Sequence, residues 1–471
     1  MSKIIVDPLT RISGTLGIEV EIKNNKIIDA KVTGNQFRGF ELMFKNRDPF
    51  DIIRLAPRIC GICSTHHALA ATLAIENSMN IDPDFNGKVV RDIANAFEFL
   101  QNHIRHIYFF VIPDYVKMLK VNPLYKAKDE QYEDYRLNEN DTIVINEHYL
   151  DAIKYSREAH KAIGVLAGKA PHCHGIWVGG VTTNIDIQRY EYIKYSVSVI
   201  KAFIEEKLIP DVQLIAKSYN DYFLKGKGHG NLMTYGIFDE YSEPIKYSTP
   251  KVRINNIDNS LELKNITEHI NSTWIEGNSA ELIPGTNVYI KGNPLKKEAY
   301  SWINAPRYSG NPMEVGALAR MTLAKEYTKG ISVMDRIVAK SFEAKKMCNI
   351  IEGLISLLNL KNAFQKEWII PKKSEGIGII EAERGSLGHW ISINDSKIYN
   401  YTVITPSAWN LSPMDNNGVK GSVEQALIGM EVENTLSPVE IGRVVRSFDP
   451  CSNCAAHVVS DKYKQLYIKI V

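Results

Sequence analysis

Two Cys-x-x-Cys pairs stand near opposite ends of the chain, and they restrict its fold more than any other feature. The first is Arg58-Ile-Cys60-Gly61-Ile-Cys63-Ser-Thr-His66-His67. The second is Asp449-Pro450-Cys451-Ser-Asn-Cys454-Ala-Ala-His457. A Cys-x-x-Cys turn directs two sulfurs at one ion, and two such turns make a four-thiolate cage. A cage built from both pairs would tie the beginning of the chain to its end. A length of 471 residues would by itself suggest about three domains; the cage demands one continuous body instead. Six cysteines in a chain of this size make no disulfide framework, and four of them belong to the pairs. Metal ligation in a reducing compartment fits better.

The remaining composition narrows the function classes. A balance of 56 basic and 54 acidic residues leaves a net charge of +2, which argues against nucleic acid or a membrane surface as the main partner. No run of about 18 apolar residues occurs, so no membrane span is expected. The opening MSKIIVDPLTRISG carries neither an apolar signal region nor twin arginines. Folding is therefore expected in the cytoplasm, with any export depending on a signal carried by a partner.

Alternation in Lys3–Val6, Gly17–Ile22 and Lys26–Val32, around turns at Pro8–Gly14 and Lys23–Asn25, predicts an opening set of strands. Helical spacing of apolar residues over 65–79 puts the first cysteine pair on a loop leading into a helix, whose N-terminus favours thiolate over thiol. Amphipathic patterns over 87–119, 147–168, 186–224 and 314–359 predict a helical bundle. Residues 225–300 predict hairpins and loops, 365–405 short strands, and 422–446 a helix delivering the chain to Asp449. The fold class that follows is mixed α/β and helix-rich: a single domain over 1–471, with a central long-helix bundle and peripheral small sheets.

Three chemistries use Cys-x-x-Cys twice. A structural Zn(Cys)₄ site usually draws its pairs from within about 15–20 residues, far closer than these. An iron–sulfur cluster usually shows a different spacing or a third nearby cysteine. The third option is a soft, redox-active nickel or iron site held by thiolates. The flanking residues decide among them. Arg-x-Cys-Gly-x-Cys-x-x-x-His and Asp-Pro-Cys-x-x-Cys-x-x-His resemble the two signature motifs of the nickel–iron (NiFe) hydrogenase large-subunit family. Further blocks look like the family's, in family order: Gly168–His172 with Gly179-Gly180, Tyr300–Tyr308, Met313–Gly316, Glu383–Trp390 and Pro406–Asn410.

This resemblance implies reversible heterolytic cleavage of H₂ to protons and electrons, and it assigns roles residue by residue. Cys60 and Cys451 would be terminal nickel ligands, and Cys63 and Cys454 would bridge nickel to an iron carrying CO and CN ligands supplied by maturation proteins. Cys451 would accept the proton. Arg384 would sit over the metals, its planar cationic fork suited to an anionic diatomic ligand. Pro406 and Ser407 would line the other ligand pocket, Asp449 would orient Arg384 by a charge-assisted hydrogen bond, and His67 would donate to a bridging sulfur. His66 is off the motif position and is read as structural. Glu41, the carbonyl of Val403 and His457 would hold magnesium with bound waters. Cys173 and Cys348 match no ligand position and are read as buried free thiols. Electrons would pass to an iron–sulfur small subunit in a heterodimer.

The chain also departs from the family pattern. Thr10-Arg11-Ile12-Ser13-Gly14-Thr15 has Ser13 where the family usually carries a proton-passing glutamate, and Asn102 stands where an aspartate is common. A serine hydroxyl relays a proton through water but cannot hold one as a carboxylic acid, so protons are expected to leave by another path or more slowly. The last residues, 458–471, are read as a maturation peptide cut after His457 by a C-terminal endopeptidase; an ordinary terminal strand is the plainer reading. The rival function is a hydrogen sensor with the same metal site, against which the C-terminal tail argues.

Overall fold

The computed structural model describes residues 2–118, 134–277, 279–286, 290–361, 366–435 and 437–455. His457 and the segment 458–471 lie outside the described residues. The chain opens with three antiparallel strands in sequential order, β1 (Ser2–Val6), β2 (Leu16–Lys23) and β3 (Lys26–Gly34). Leu16, Ile18, Val20 and Ile22 alternate into the core. The β2–β3 turn places Asn24 and Asn25 at φ of 52° and 57°, a left-handed conformation that asparagine tolerates better than most residues. Between β1 and β2 runs the loop carrying Ser13. Arg446 donates to Thr10 O at 2.9 Å and, like Arg11, pairs with Asp114, so this loop is tied to the interior.

After a one-turn helix α1 (Phe40–Phe44), the helical body begins with α2 (Ser64–Met79), which starts directly after Cys63, and α3 (Phe85–Arg105). The expected single helix over 87–119 is α3 followed by a π turn at His106–Val111 and a 3₁₀ turn at Ile112–Asp114; residues 119–133 are outside the described set. The antiparallel partner α4 (Glu139–Ala167) is capped by Asn138 and stops at Gly168, at φ 75°. The expected 186–224 helix is nearly continuous: α5 (Ile187–Phe203), a π turn, then α6 (Ile209–Ser218). Pro210, which lacks an N–H, sits where the winding returns to α.

Two expected helices are instead broken. The 314–359 pattern divides into α7 (Ala317–Leu323) and α8 (Val333–Leu357), because Lys325 turns left-handed (φ 64°) and Ser332 with Asp335 forms a new capping box. The 422–446 pattern divides into Ser422–Leu427 and Val439–Ser447, with Gly429 at φ 84° and Pro438 between them. Helices α3, α4, α5, α6 and α8 pack together as the bundle.

A later three-stranded meander, β4 (Lys373–Ala382), β5 (Gly385–Asn394) and β6 (Lys397–Ile404), lies flat on α2. Glycine makes that approach possible. A Cβ at Gly378 would stand 2.0 Å from Ala70 O, and one at Gly376 would stand 2.1 Å from Ala74 O. The consequence for function is that the β4–β5 turn, Glu383-Arg384, ends over the N-terminus of α2, where the first cysteine pair lies. A short helix α9 (Pro406–Asn410) follows β6, and α10 (Val439–Ser447) then returns the chain end to the same place.

Candidate metal centre

Each cysteine pair is held by its own local device. Cys60 follows a 3₁₀ turn (Ala56–Ile59), and its sulfur receives the backbone N–H groups of Ile62 and Cys63, both at 3.4 Å. Cys451 follows Asp449, whose φ of 53° reverses the chain. The second pair docks on the Ser13 loop as a short parallel bridge: Ser13 N donates to Pro450 O at 3.2 Å, and Ser452 N donates to Ser13 O at 2.8 Å. Arg38 joins the two loops, donating from one nitrogen to the carbonyls of Ile59 and Asn453. Nothing in the spacing around Arg38 announced that role.

The four sulfurs converge. Cys60 and Cys451 are 3.6 Å apart, Cys63 and Cys454 3.3 Å, and Cys451 and Cys454 2.8 Å. All four residues are buried, and all are free thiols rather than disulfides. Such a cluster has no internal way to neutralise four thiolates, and its donor set is that of a soft metal. The residues present therefore fit a thiolate-bound nickel site. Cys451 is the thiol held lowest: burial opposes its ionisation, but S–H donation from its three neighbours and the charge of Arg384 outweigh burial. Burial pushes Cys63 and Cys454 up. Cys451 Sγ is 3.4 Å from Ser13 Oγ.

Above the sulfurs lies a buried ionic canopy. Arg384 donates to Asn102 Oδ1 at 2.7 Å and to Glu383 Oε1 at 2.5 Å. Its Nε is 3.1 Å from Asp449 Oδ1, an ion-pair contact out of line for a hydrogen bond. The expected hydrogen bond from Arg384 to Asp449 is thus replaced by a charge contact, with Asn102 as the bridge: its amide also donates to Asp449 Oδ2 at 2.6 Å. Lys340 completes the arrangement at 2.5 Å from the same oxygen. Burial would raise the Asp449 pKa, but Arg384, His106 and Lys340 hold it far below the ordinary carboxylate range.

Pro406, Ser407, His67, Cys63, Cys454, Glu383 and Arg384 line a cavity of about 10 Å³. Ser407 Oγ also accepts the Cys451 N–H at 3.1 Å. A ring nitrogen of His67 lies within 4.8 Å of the sulfurs of Cys63 and Cys454. Its Nδ1 is 3.1 Å from His389 Nε2, and His389 Nδ1 is 2.7 Å from the Tyr401 hydroxyl. Burial pushes His67 down to about 3, which keeps it neutral. Cys173 and Cys348 lie buried and free, away from the cluster.

On the other side of β6, the Glu41 carboxylate accepts the Val403 N–H at 2.7 Å. Burial pushes Glu41 up to about 7 and Glu268 up to about 8, the second helped by the first. Two carboxyls that interact in this way, one half-buried and one buried, suit a hard divalent cation. The recorded Val403 contact is through its N–H, and the third expected ligand, His457, is outside the described residues.

Several site residues were missed in the sequence. Glu383 and His389 stand inside the Glu383–Trp390 block but were given no role, and Lys340, Glu98 and Arg38 carry no signature that spacing could expose. His66, read as structural, stands between two carboxylates, with its Nδ1 2.8 Å from Glu383 Oε2 and 3.2 Å from Glu98 Oε2.

Comparison with known proteins agrees with this geometry. The family model described as nickel-dependent hydrogenase matches residues 38–134 and 122–457. The periplasmic NiFeSe hydrogenase large subunit of Desulfomicrobium baculatum is 32% identical, over 97% of this chain and 95% of that one. The hydrogenase-2 large chain of Escherichia coli K12 is 28% identical over the whole of both chains. Among solved structures, a reduced, active form of the Desulfomicrobium baculatum NiFeSe hydrogenase superposes with a TM-score of 0.93 at 31% identity, covering 97% of this chain and 100% of that one. The reduced NiFeSe hydrogenase of Desulfovibrio vulgaris Hildenborough superposes at 0.92, also at 31% identity, with coverage of 97% and 100%. Matched along nearly its whole length in sequence and in fold, the chain belongs to the nickel-dependent hydrogenase family.

Proposed function

We propose that this chain, a catalytic hydrogenase large subunit, splits H₂ heterolytically and reversibly at a nickel–iron centre held by Cys60, Cys63, Cys451 and Cys454. The observation that carries the reading is the meeting of four buried free sulfurs from both ends of the chain beneath a buried guanidinium. Cys60 and Cys451 would hold nickel alone, while Cys63 and Cys454, which line the small cavity, would also hold iron with its CO and CN ligands. When bound, the pair of metals supplies the Lewis acidity that polarises H₂ and a store for its two electrons.

The protein's own groups do the rest. Cys451 Sγ takes the proton, with the Ser13 hydroxyl at 3.4 Å as the nearest group able to pass it on. The Arg384 fork, fixed by Asn102, Glu383 and Asp449, presents positive charge to an anionic ligand. Ser407 both braces the Cys451 backbone and faces the cavity. His67 stays neutral beside the bridging sulfurs and steadies them. Glu41 and Val403, with His457, would hold Mg²⁺ behind β6.

Cys173 and Cys348 are too few for an electron wire, so electrons leave through an iron–sulfur small subunit. No described helix is long and apolar enough to cross a membrane. Residues 1–471 form a single domain in this reading. Maturation proteins supply the diatomic ligands, and an endopeptidase removes 458–471 after metal loading. Infrared spectroscopy of the purified complex, with metal analysis and dye-linked H₂ oxidation, tests the reading. Metal-bound CO and CN bands with about one nickel per chain are expected; their absence from mature protein overturns it.

A further inference from the structure

Ser13 leaves the proton-accepting sulfur without a neighbouring carboxylic acid, yet a carboxylic acid stands at the small cavity beside the two bridging sulfurs. Glu383 lines that cavity together with Cys63 and Cys454. Its Oε1 accepts from Arg384 and its Oε2 is 2.8 Å from His66 Nδ1. The same Nδ1 is 3.2 Å from Glu98 Oε2. Glu383, His66 and Glu98 are 0%, 0% and 1% exposed, so two acids and an imidazole meet out of contact with water. Structural needs account for only part of this. Glu98 caps α2 from the side, accepting the N–H groups of Thr65 at 3.2 Å and His66 at 3.0 Å, but that cap does not require an imidazole between two carboxylates.

We propose that Glu383, His66 and Glu98 form a proton relay that carries protons out of the metal cavity, in place of the acid absent at Ser13. This rests on the proposed reaction centre. The step conserves atoms and moves no electrons. A proton on Glu383 Oε2 passes to His66 Nδ1 as the O–H bond breaks and the N–H bond forms. That N–H then breaks as Glu98 Oε2 takes the proton, returning His66 to its neutral form.

The surroundings favour this direction. Arg384 and His66 together outweigh burial and hold Glu383 low; Asp449 opposes them. Burial disfavours a charged His66, as does Arg320, but the two carboxylates outweigh them and raise it. Burial lifts Glu98 to about 7, with Glu383 adding and His66 opposing. Neither His66 nitrogen nor Glu383 Oε2 has an aligned hydrogen bond, which leaves the shared nitrogen able to address either acid. Beyond Glu98 lie Thr65 and Cys173, and the Cys173 carbonyl faces Arg54 at 3.4 Å.

The test uses the intact complex with Glu98→Gln and Glu383→Gln. Glu98→Gln is the decisive variant because Glu98 makes no contact with Arg384 among the described hydrogen bonds and ion pairs. Both variants are expected to lower H₂/D₂O exchange about 10²-fold while nickel content stays native, and Glu98→Gln is expected to leave the CN bands unmoved. Redox-difference infrared spectra should show a carboxylic C=O band that shifts in D₂O and is lost in each variant. Native exchange and a retained carboxylic band in Glu98→Gln would overturn the relay, even if Glu383→Gln were impaired; Glu383 would then only position Arg384. Absence of CN bands and nickel from the unmutated protein would overturn the reaction centre and the relay together.

Discussion

Replacing Arg320 by Met would test whether buried ion pairs hold the site in place. Arg320 is fully buried, with Nε and Nη2 both 2.7 Å from Glu343, and its Nη1 is 2.6 Å from Glu381. The same guanidinium donates to Ala382 O at 2.9 Å and Glu383 O at 3.3 Å, the two carbonyls just before Arg384. Methionine fills similar volume but strands two buried carboxylates. Removing one partner of a buried pair costs about 3–5 kcal/mol, and the low end applies here. Glu343 keeps donors in Tyr247 and His103, and Glu381 keeps Ser386 and the Tyr235 N–H.

The pH dependence gives a second readout. Arg320 outweighs burial and holds Glu343 well below the ordinary carboxylate range. In the native protein that contribution is complete above the unfolded-state pKa and disappears as pH falls through the lowered folded value. Without Arg320, burial dominates and raises Glu343, so the variant should regain stability as pH falls from about 8 to about 5, opposite in sign to the native pair. Scanning calorimetry at one scan rate, at both pH values, reads the shift, and CN band positions report whether Arg384 has moved. A variant that melts like the native protein at both pH values, with unmoved CN bands, would refute the argument.

Three further outcomes are expected. Cys63→Ser replaces a soft bridging donor by a hard one and should leave purified protein with little nickel, measured by elemental analysis; full nickel occupancy would remove Cys63 from the ligand set. Arg384→Lys keeps the charge but loses the planar fork and should lower H₂ oxidation about 10²-fold with nickel retained and CN bands shifted; unshifted bands would refute the contact. Chelation of Mg²⁺ should lower the thermal midpoint, added Mg²⁺ should restore it, and Glu41→Gln should abolish that response, whereas a persisting response would exclude Glu41 as a ligand.

Much of the fold was legible because its signals are local. The alternation of β2 and the turn at Lys23–Asn25 act over a few residues, and such patterns survive any later packing. Helix interruptions were less legible. The apolar period runs on through Lys325 and Gly429, while the backbone reversals there answer to what the neighbouring elements pack against. The site divides in the same way. The four cysteines, Arg384 and Asp449 stand in motifs, but Asn102 was noticed only as an absent charge, and its bridge between Arg384 and Asp449 depends on α3 facing the β4–β5 turn.

What the sequence by itself determined is the chemistry available: two Cys-x-x-Cys turns at opposite ends, a thiolate donor set, and a serine in place of an acid beside Cys451. Tertiary structure alone decided which charges act together. Glu98, Glu383 and His66 come from α3, the β4–β5 turn and α2, and no local pattern relates them. Their coupling exists only because folding removes water from between them, which makes an isolated charge costly and leaves shared protons and ion pairs as the stable alternatives.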